Sequence, residues 1–181
     1  KKEMKYLKKI RNTLKKNKDN SLLFTDLKKI KCNKNYLNYI LNFKQHILNP
    51  KEDVEERVYD VVNYLRNSED IIANITKKKI KNGSIVLSDN SLIVKEILNK
   101  AKLEGKKFEV YNLKTNLIEK ADLILMGKNI KSNIFKFARQ HDVPVFFCTN
   151  SLKTNKINNG FTGIISELGI YKPHVFEEIK K

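Results

Sequence analysis

The chain reads as an α/β protein: a helical N-terminal region over residues 1–82, followed by a mostly parallel sheet flanked by helices over residues 83–181. Three observations predict it. Apolar residues follow the helical period up to Gly83. Beyond it they gather in short runs that alternate with helical stretches. The first of these runs, 84–87, ends in Ser88-Asp89-Asn90-Ser91 and turns directly into an amphipathic helix. At 181 residues the chain is long enough to bury a core of its own.

Met4, Leu7, Ile10 and Leu14 make a narrow apolar stripe, Leu37, Ile40, Leu41, Ile47 and Leu48 a second, and Val54, Val58, Val61, Val62 and Leu65 a third. Each describes a one-sided helix that needs a neighbour. Asn49-Pro50 separates the second from the third, because the residue before proline is pushed out of the helical region. A further helix is expected from about Ser68, burying Ile71, Ile72 and Ile75, with Asn82-Gly83 as its stop. Strands are then expected at 84–87, 108–111, 122–126 and 143–147; the last two are nearly all apolar, as strands covered on both faces are. Pro144 suits the first residues of a strand, where a ladder N–H is dispensable. Ile130, Ile134, Phe137 and Ala138 mark a helix between the last two strands, residues 153–160 a polar loop, and Pro173 the first turn of a closing helix. Strand, helix and strand repeated in this way predict parallel pairing through crossover connections.

The formal net charge is +17 and unevenly spread: Lys1 to Lys31 holds 12 basic and 3 acidic residues, whereas residues 51–72 hold 3 basic and 7 acidic. Such a basic arm supports weak, nonspecific contact with RNA or a ribosome. All but four of the 37 basic residues are lysine, so the surplus carries few of the guanidinium forks or interleaved aromatics of a dedicated nucleic-acid surface. The two cysteines, Cys32 and Cys148, suggest no disulfide framework, no apolar run is long enough to span a bilayer and no secretory leader is evident, so a cytoplasmic location is expected. His46, His141 and His174 lack metal-ligand spacing, and neither a metal nor a cofactor is expected. Phe24, Phe43, Tyr36 and Tyr39 fall on helical stripes and read as core.

The loop after the first strand can be read in two ways. A strand that ends in small hydroxyl and amide side chains and opens a helix presents free backbone N–H groups, where phosphate or carboxylate can bind. The same residue types are the ordinary caps of any helix.

Ile80, Gly83, Ile85 to Leu87, Ser88 and Ser91, Val94, Leu98, Ala101, Gly105-Lys106 and Phe108-Glu109-Val110 form one set of landmarks. Lys120 to Ile124 leading to Gly127, Val143 to Phe146, and Gly163 to Ile170 followed by Pro173 and Val175 complete it. In order and spacing these pieces resemble, in shortened form, the alpha, beta and delta subunits of translation initiation factor 2B. Relatives of those subunits are the methylthioribose-1-phosphate and ribose-1,5-bisphosphate isomerases. The resemblance implies a helical bundle joined to a Rossmann-like domain, subunits that pair through the second domain into a homo-dimer or higher oligomer, and translation initiation factor 2 or other family subunits as partners. It also implies a pocket for a phosphosugar or nucleotide, here made of Gly83, Ser88, Asp89, Asn90, Ser91, Gly127, Asn129 and Lys153.

The isomerase relatives look as though they use a cysteine in the loop after the first strand and an aspartate just after a later strand, a pair suited to moving a proton between adjacent sugar carbons. Here the first loop has no cysteine, and Asn129 stands at the aspartate position with an amide that exchanges no proton near neutrality. Asp89 at a helix start is a weak base and reads as an N-cap, Cys148 as a small hydrophobe, and Lys153, where relatives carry a lysine near the pocket, as one solvent-exposed lysine among many. The expectation is therefore a regulatory or binding subunit acting in translation initiation, with no catalytic residues. A phosphosugar aldose–ketose isomerase and a basic RNA- or ribosome-associated module stay open as alternatives.

Overall fold

A computed structural model describes residues 67–129, 133–151 and 156–179, nearly all of them within one compact unit, Glu69–Ser151 with Asn155–Lys181. The stripes expected over residues 1–66, with Cys32, His46 and the aromatics at 24, 36, 39 and 43, lie outside the described residues, as do Ile130 and Lys153.

Six strands form one sheet: β1 (Ile85–Ser88), β2 (Glu109–Asn112), β3 (Leu123–Met126), β4 (Val145–Cys148), β5 (Gly163–Ser166) and β6 (Gly169–Tyr171), in the order β2-β1-β3-β4-β5-β6. The first five run parallel; β6 returns antiparallel in a hairpin with β5. Helices α1 (67–77), α2 (Leu92–Leu103), α3 (Ile134–Gln140) and α4 (Pro173–Ile179) and a 3-10 turn (Thr115–Lys120) flank it. The α/β class and the mostly parallel sheet are as the sequence predicts.

Each of the four expected strands starts one or two residues late, and the residues just before three of them bond outside the ladder pairs or extend them by one link. The Asp122 carboxylate accepts from Ile85 N at 2.8 Å, Val143 N donates to Ala138 O at 2.9 Å at the end of α3, and Pro144 O accepts from Ile124 N at 2.9 Å. Pro144 thus sits immediately before β4, where its missing N–H is harmless.

Strand side chains alternate between two covered faces. Leu87, Ile124, Met126, Val145, Phe147 and Ile164 pack against Ile118 of the 3-10 turn, Ile134, Phe135 and Ala138 of α3 and Phe176 of α4. Val86, Leu123, Leu125, Phe146, Cys148 and Ile165 pack against Ile72 and Ala73 of α1, Ile80, and Val94, Ile97, Leu98 and Ala101 of α2. Such double coverage is why these strands are apolar without a polar alternate. One expectation is corrected on α1: Ile71 is 42% exposed, and the buried stripe is Ile72, Ala73 and Thr76, one step further round the helix. The sheet lies on that side of the helix, and Thr76 is admitted because its hydroxyl donates to Ile72 O at 2.6 Å.

Phe176 is wholly buried, whereas Leu103 is 87% exposed. Phe176→Ala is expected to destabilise the fold by about 3–5 kcal/mol and Leu103→Ala by less than about 0.5 kcal/mol, read from urea unfolding curves.

Candidate functional site

The chain leaves β1 for β2 on one side and reaches β3 on the other, so the strand order reverses between β1 and β3. In open α/β sheets the crevice at the carboxyl ends of the strands flanking such a reversal is where ligands bind. Here the crevice is bordered by Ser88-Asp89-Asn90-Ser91 and by Gly127-Lys128-Asn129.

Ser88 ends β1 buried, and its hydroxyl accepts from Asn90 N at 3.1 Å; Asn90 takes a left-handed turn, φ 64, and is exposed. Asp89 lies between them. Its Oδ1 accepts from Ser91 N at 3.1 Å and its Oδ2 from Gly127 N at 2.9 Å and Lys128 N at 3.0 Å. The expected N-cap role of Asp89 is corrected. The cap residue of α2 is Ser91, whose side chain makes no capping bond, and the Asp89 carboxylate instead ties the two loops together. Hydrogen bonds to a charged acceptor are worth about 1.5–3 kcal/mol each, so this bridge is a substantial local restraint.

The Ser91 hydroxyl is buried and has no hydrogen-bond partner. Gly127 presses on it: a Cβ at position 127 would lie 2.3 Å from Ser91 Oγ and 2.6 Å from Ile93 Cγ2, so only glycine allows this approach. Asn129 donates from Nδ2 to Lys156 O at 2.7 Å and accepts at Oδ1 from Asn158 N at 3.1 Å. The amide at the position where the isomerase relatives look to carry an aspartate therefore holds the returning loop. Gly83, φ 87, precedes β1 and bonds Lys107 O at 2.7 Å, so it stands at the opposite end of the strand from the crevice. The structure thus brings together Ser88, Asp89, Asn90, Ser91, Gly127 and Asn129 and leaves Gly83 apart; Lys153 lies outside the described residues.

The same crest continues through the loop after β4 and the turn after β5. Buried Ser151 donates its N–H to Glu167, 2.7 Å to Oε1 and 3.2 Å to Oε2. Burial pushes the Glu167 carboxyl above the usual range, against the opposing effect of the Ser151 bonds. Sequence reading named Glu167 only as part of the closing motif. The signal for a site was a carboxylate directly after a wholly buried strand. Cys148, at the end of β4, is buried beside Thr76, and loss of solvent raises its thiol to about 12, which leaves it protonated and inert.

Among the described residues of this crest, the Asp89 carboxylate faces three backbone donors, the Glu167 carboxylate accepts from Ser151 N, Asn129 is an amide engaged at both ends, and the Cys148 thiol is sealed. Among the described residues there is also no cluster of three or more His, Cys, Asp or Glu side chains that could hold a metal ion. The arrangement presents backbone N–H groups that hold a carboxylate.

Neither a protein-family model nor a curated protein matches the sequence. Solved structures do match in fold. Translation initiation factor eIF-2B from Pyrococcus horikoshii OT3 superposes with a TM-score of 0.60 at 14% identity, covering 77% of this chain and 76% of that one. A chain of the tetrameric eIF2B-beta2-delta2 complex from C. thermophilum gives 0.62 at 14% identity, over 81% and 72%. The eIF2B beta structure from Chaetomium thermophilum gives 0.57 at 16% identity, over 70% and 56%. The chain therefore has the fold of these eIF2B subunits.

The raised Glu167 carboxyl has a sign that can be checked. A carboxyl more basic in the folded than in the unfolded state adds stability below the ordinary glutamate value of 4.5, and that stability is lost as pH rises through the folded value. Glu167→Gln, which keeps an acceptor for Ser151 N, is expected to flatten this fall when melting temperature is followed upward from pH 4.

Proposed function

We propose that the chain is a non-catalytic, eIF2B-like regulatory or binding subunit acting in translation initiation, and that it works by assembling with other subunits of that kind and with initiation factor 2. The observation that carries this reading is the fold shared with eIF2B subunits over about three-quarters of both chains in the archaeal case, in a molecule whose crest engages Asp89 and Asn129 in structural bonds. One of the matching structures is a tetramer of beta and delta subunits. In support of assembly, the last elements of this chain expose apolar side chains: Leu168 and Ile170 around the edge strand β6, and Val175 and Ile179 on α4. An exposed edge strand with apolar side chains is a template for pairing with another chain. A phosphorylated metabolite or nucleotide enters the same reading as a ligand of the crevice between β1 and β3, where backbone N–H groups already hold a carboxylate. A cytoplasmic location comes with the reading.

Co-expression with eIF2B beta and delta subunits, followed by size-exclusion chromatography, is expected to give co-elution. Ile170→Glu should abolish it while leaving the melting temperature within a few degrees of the parent. A chain that never co-elutes would overturn the assembly reading. In the same preparation, ribose-1,5-bisphosphate should yield no ketose above the protein-free control, whereas turnover lost in Asp89→Asn would carry the isomerase reading instead.

A further inference from the structure

On the face of the sheet that α3 covers, an open groove of about 530 Å³ lies between that helix and the loop before β5. The helix side supplies Asn133, Lys136 and Arg139, each three residues from the next and so on one stripe, and the loop side supplies Asn158, Asn159 and Gly160. Phe135 also lines it, and no lining residue belongs to the crevice between β1 and β3.

The loop wall is held from within the chain. Gly160 comes so near the Phe135 ring that a Cβ would lie 2.5 Å from its Cγ, Asn158 Oδ1 accepts from Gly160 N at 2.9 Å, and Asn158 N donates to Asn129 Oδ1 at 3.1 Å. A wall already fixed in shape keeps the ordering cost of binding low.

The charge in the groove has one sign. None of its lining residues is acidic, and among the described residues neither Lys136 nor Arg139 forms an ion pair. Arg139 is also the one arginine among the described residues, in a chain whose 37 basic residues are lysine in all but four cases, so the general lysine surplus does not account for it. A guanidinium fork takes a carboxylate through two parallel hydrogen bonds, which an ammonium cannot do.

Asn133, Lys136, Arg139 and Asn159 are all exposed, whereas a small ligand is normally enclosed over most of its surface. An open groove fits a segment of chain laid along it. RNA would call for aromatic faces on which bases stack, and the one ring in the lining, Phe135, is 6% exposed and meets Phe161 edge-on. An extended peptide places every second side chain on one face, about 6–7 Å apart, within reach of two long cations three residues apart on a helix. Asparagine amides offer the donor and the acceptor that a peptide bond needs.

We propose that this groove docks an extended acidic segment of a partner protein, with carboxylates on every second residue taken by Lys136 and Arg139 and a peptide bond of the same segment taken by the amide of Asn159. The inference rests on the reading of the chain as a binding subunit and adds the chemistry of one partner surface.

The test titrates the full chain into a fluorescein-labelled peptide of alternating glutamate and valine and follows fluorescence anisotropy at physiological ionic strength. A glutamine and valine peptide and an oligouridylate RNA are the parallel probes. The acidic peptide is expected to bind saturably and at least ten-fold more tightly than either. Arg139→Lys, which keeps the charge and loses the fork, should weaken binding several-fold. Lys136→Gln with Arg139→Gln should abolish it with melting temperature within a few degrees of the parent, because both side chains are exposed. Should that pair not fold, Asn159→Asp, which adds a carboxylate to the loop wall, should weaken binding in its place. Lys95→Gln with Lys102→Gln removes the same charge from exposed positions of α2, on the other face of the sheet, and should leave affinity unchanged. No binding by the native chain, equal binding of the glutamine peptide, or as large a loss in the α2 pair as in the groove pair overturns the proposal. RNA bound more tightly than the acidic peptide, and lost in the groove pair, also overturns it and gives the surface to nucleic acid. Co-elution with eIF2B subunits without peptide binding sinks this inference alone, whereas peptide binding without co-elution sinks the assembly reading alone.

Discussion

The carboxylate of Asp89 joins two loops that no strand pairing connects. The ladder between β1 and β3 runs up to Ser88 opposite Leu125, and beyond it the backbones diverge toward α2 on one side and the loop leading to α3 on the other. Asp89 carries the connection past that point, its N–H reaching Leu125 O at 3.4 Å and its side chain reaching Gly127 and Lys128. Backbone N–H groups in a crevice must find acceptors. By supplying one from within, the chain converts the opening of the sheet from a gap that needs a guest into a closed seam. Gly127, with no side chain, lets the seam shut against Ser91 and Ile93.

That seam is only as firm as the sheet beneath it. Alternate residues of β1, β3, β4 and β5 face opposite layers of apolar side chains, so a slip of one residue would exchange the two cores. On one face Phe161 stacks on Phe147 at 5.0 Å between centroids and meets Phe135 edge-on at 4.9 Å, and Gly160 is small because the Phe135 ring lies where its Cβ would be. This packing fixes the segment before β5. Asn129 secures the stretch upstream of it through Lys156 and Asn158. The result is a stiff crest whose polar groups largely face one another, with exposed apolar side chains around β6 and α4.

A likeness of backbone to eIF2B subunits at 14–16% identity speaks to the scaffold, while the crest speaks to what the scaffold holds. Among the described residues of the crest, Asp89 and Glu167 are bonded to backbone, Asn129 is an amide engaged at both ends, and Cys148 is sealed from water.

The change of period at Gly83, the double coverage of 122–126 and 143–147, and the places of Pro144 and Pro173 were legible in the sequence, since apolar spacing and proline geometry act locally and leave their mark residue by residue. The loop Ser88-Asp89-Asn90-Ser91 and Gly127-Asn129 were legible as candidates too, being small and polar directly after buried strands. Which groups they would bond was not, because Gly127 lies 38 residues from Asp89 and Asn158 lies 29 from Asn129, and hydrogen bonds across such separations exist only once the strands are side by side. Periodicity alone also left Ile71 and Ile72 equivalent, until the sheet chose the face of α1 that it would cover. The sequence by itself determined the kind of fold and the edge of the sheet where polar residues gather. Only the tertiary structure decided that an aspartate legible as a helix cap would instead bridge two loops, because that role depends on donors brought from a distant loop.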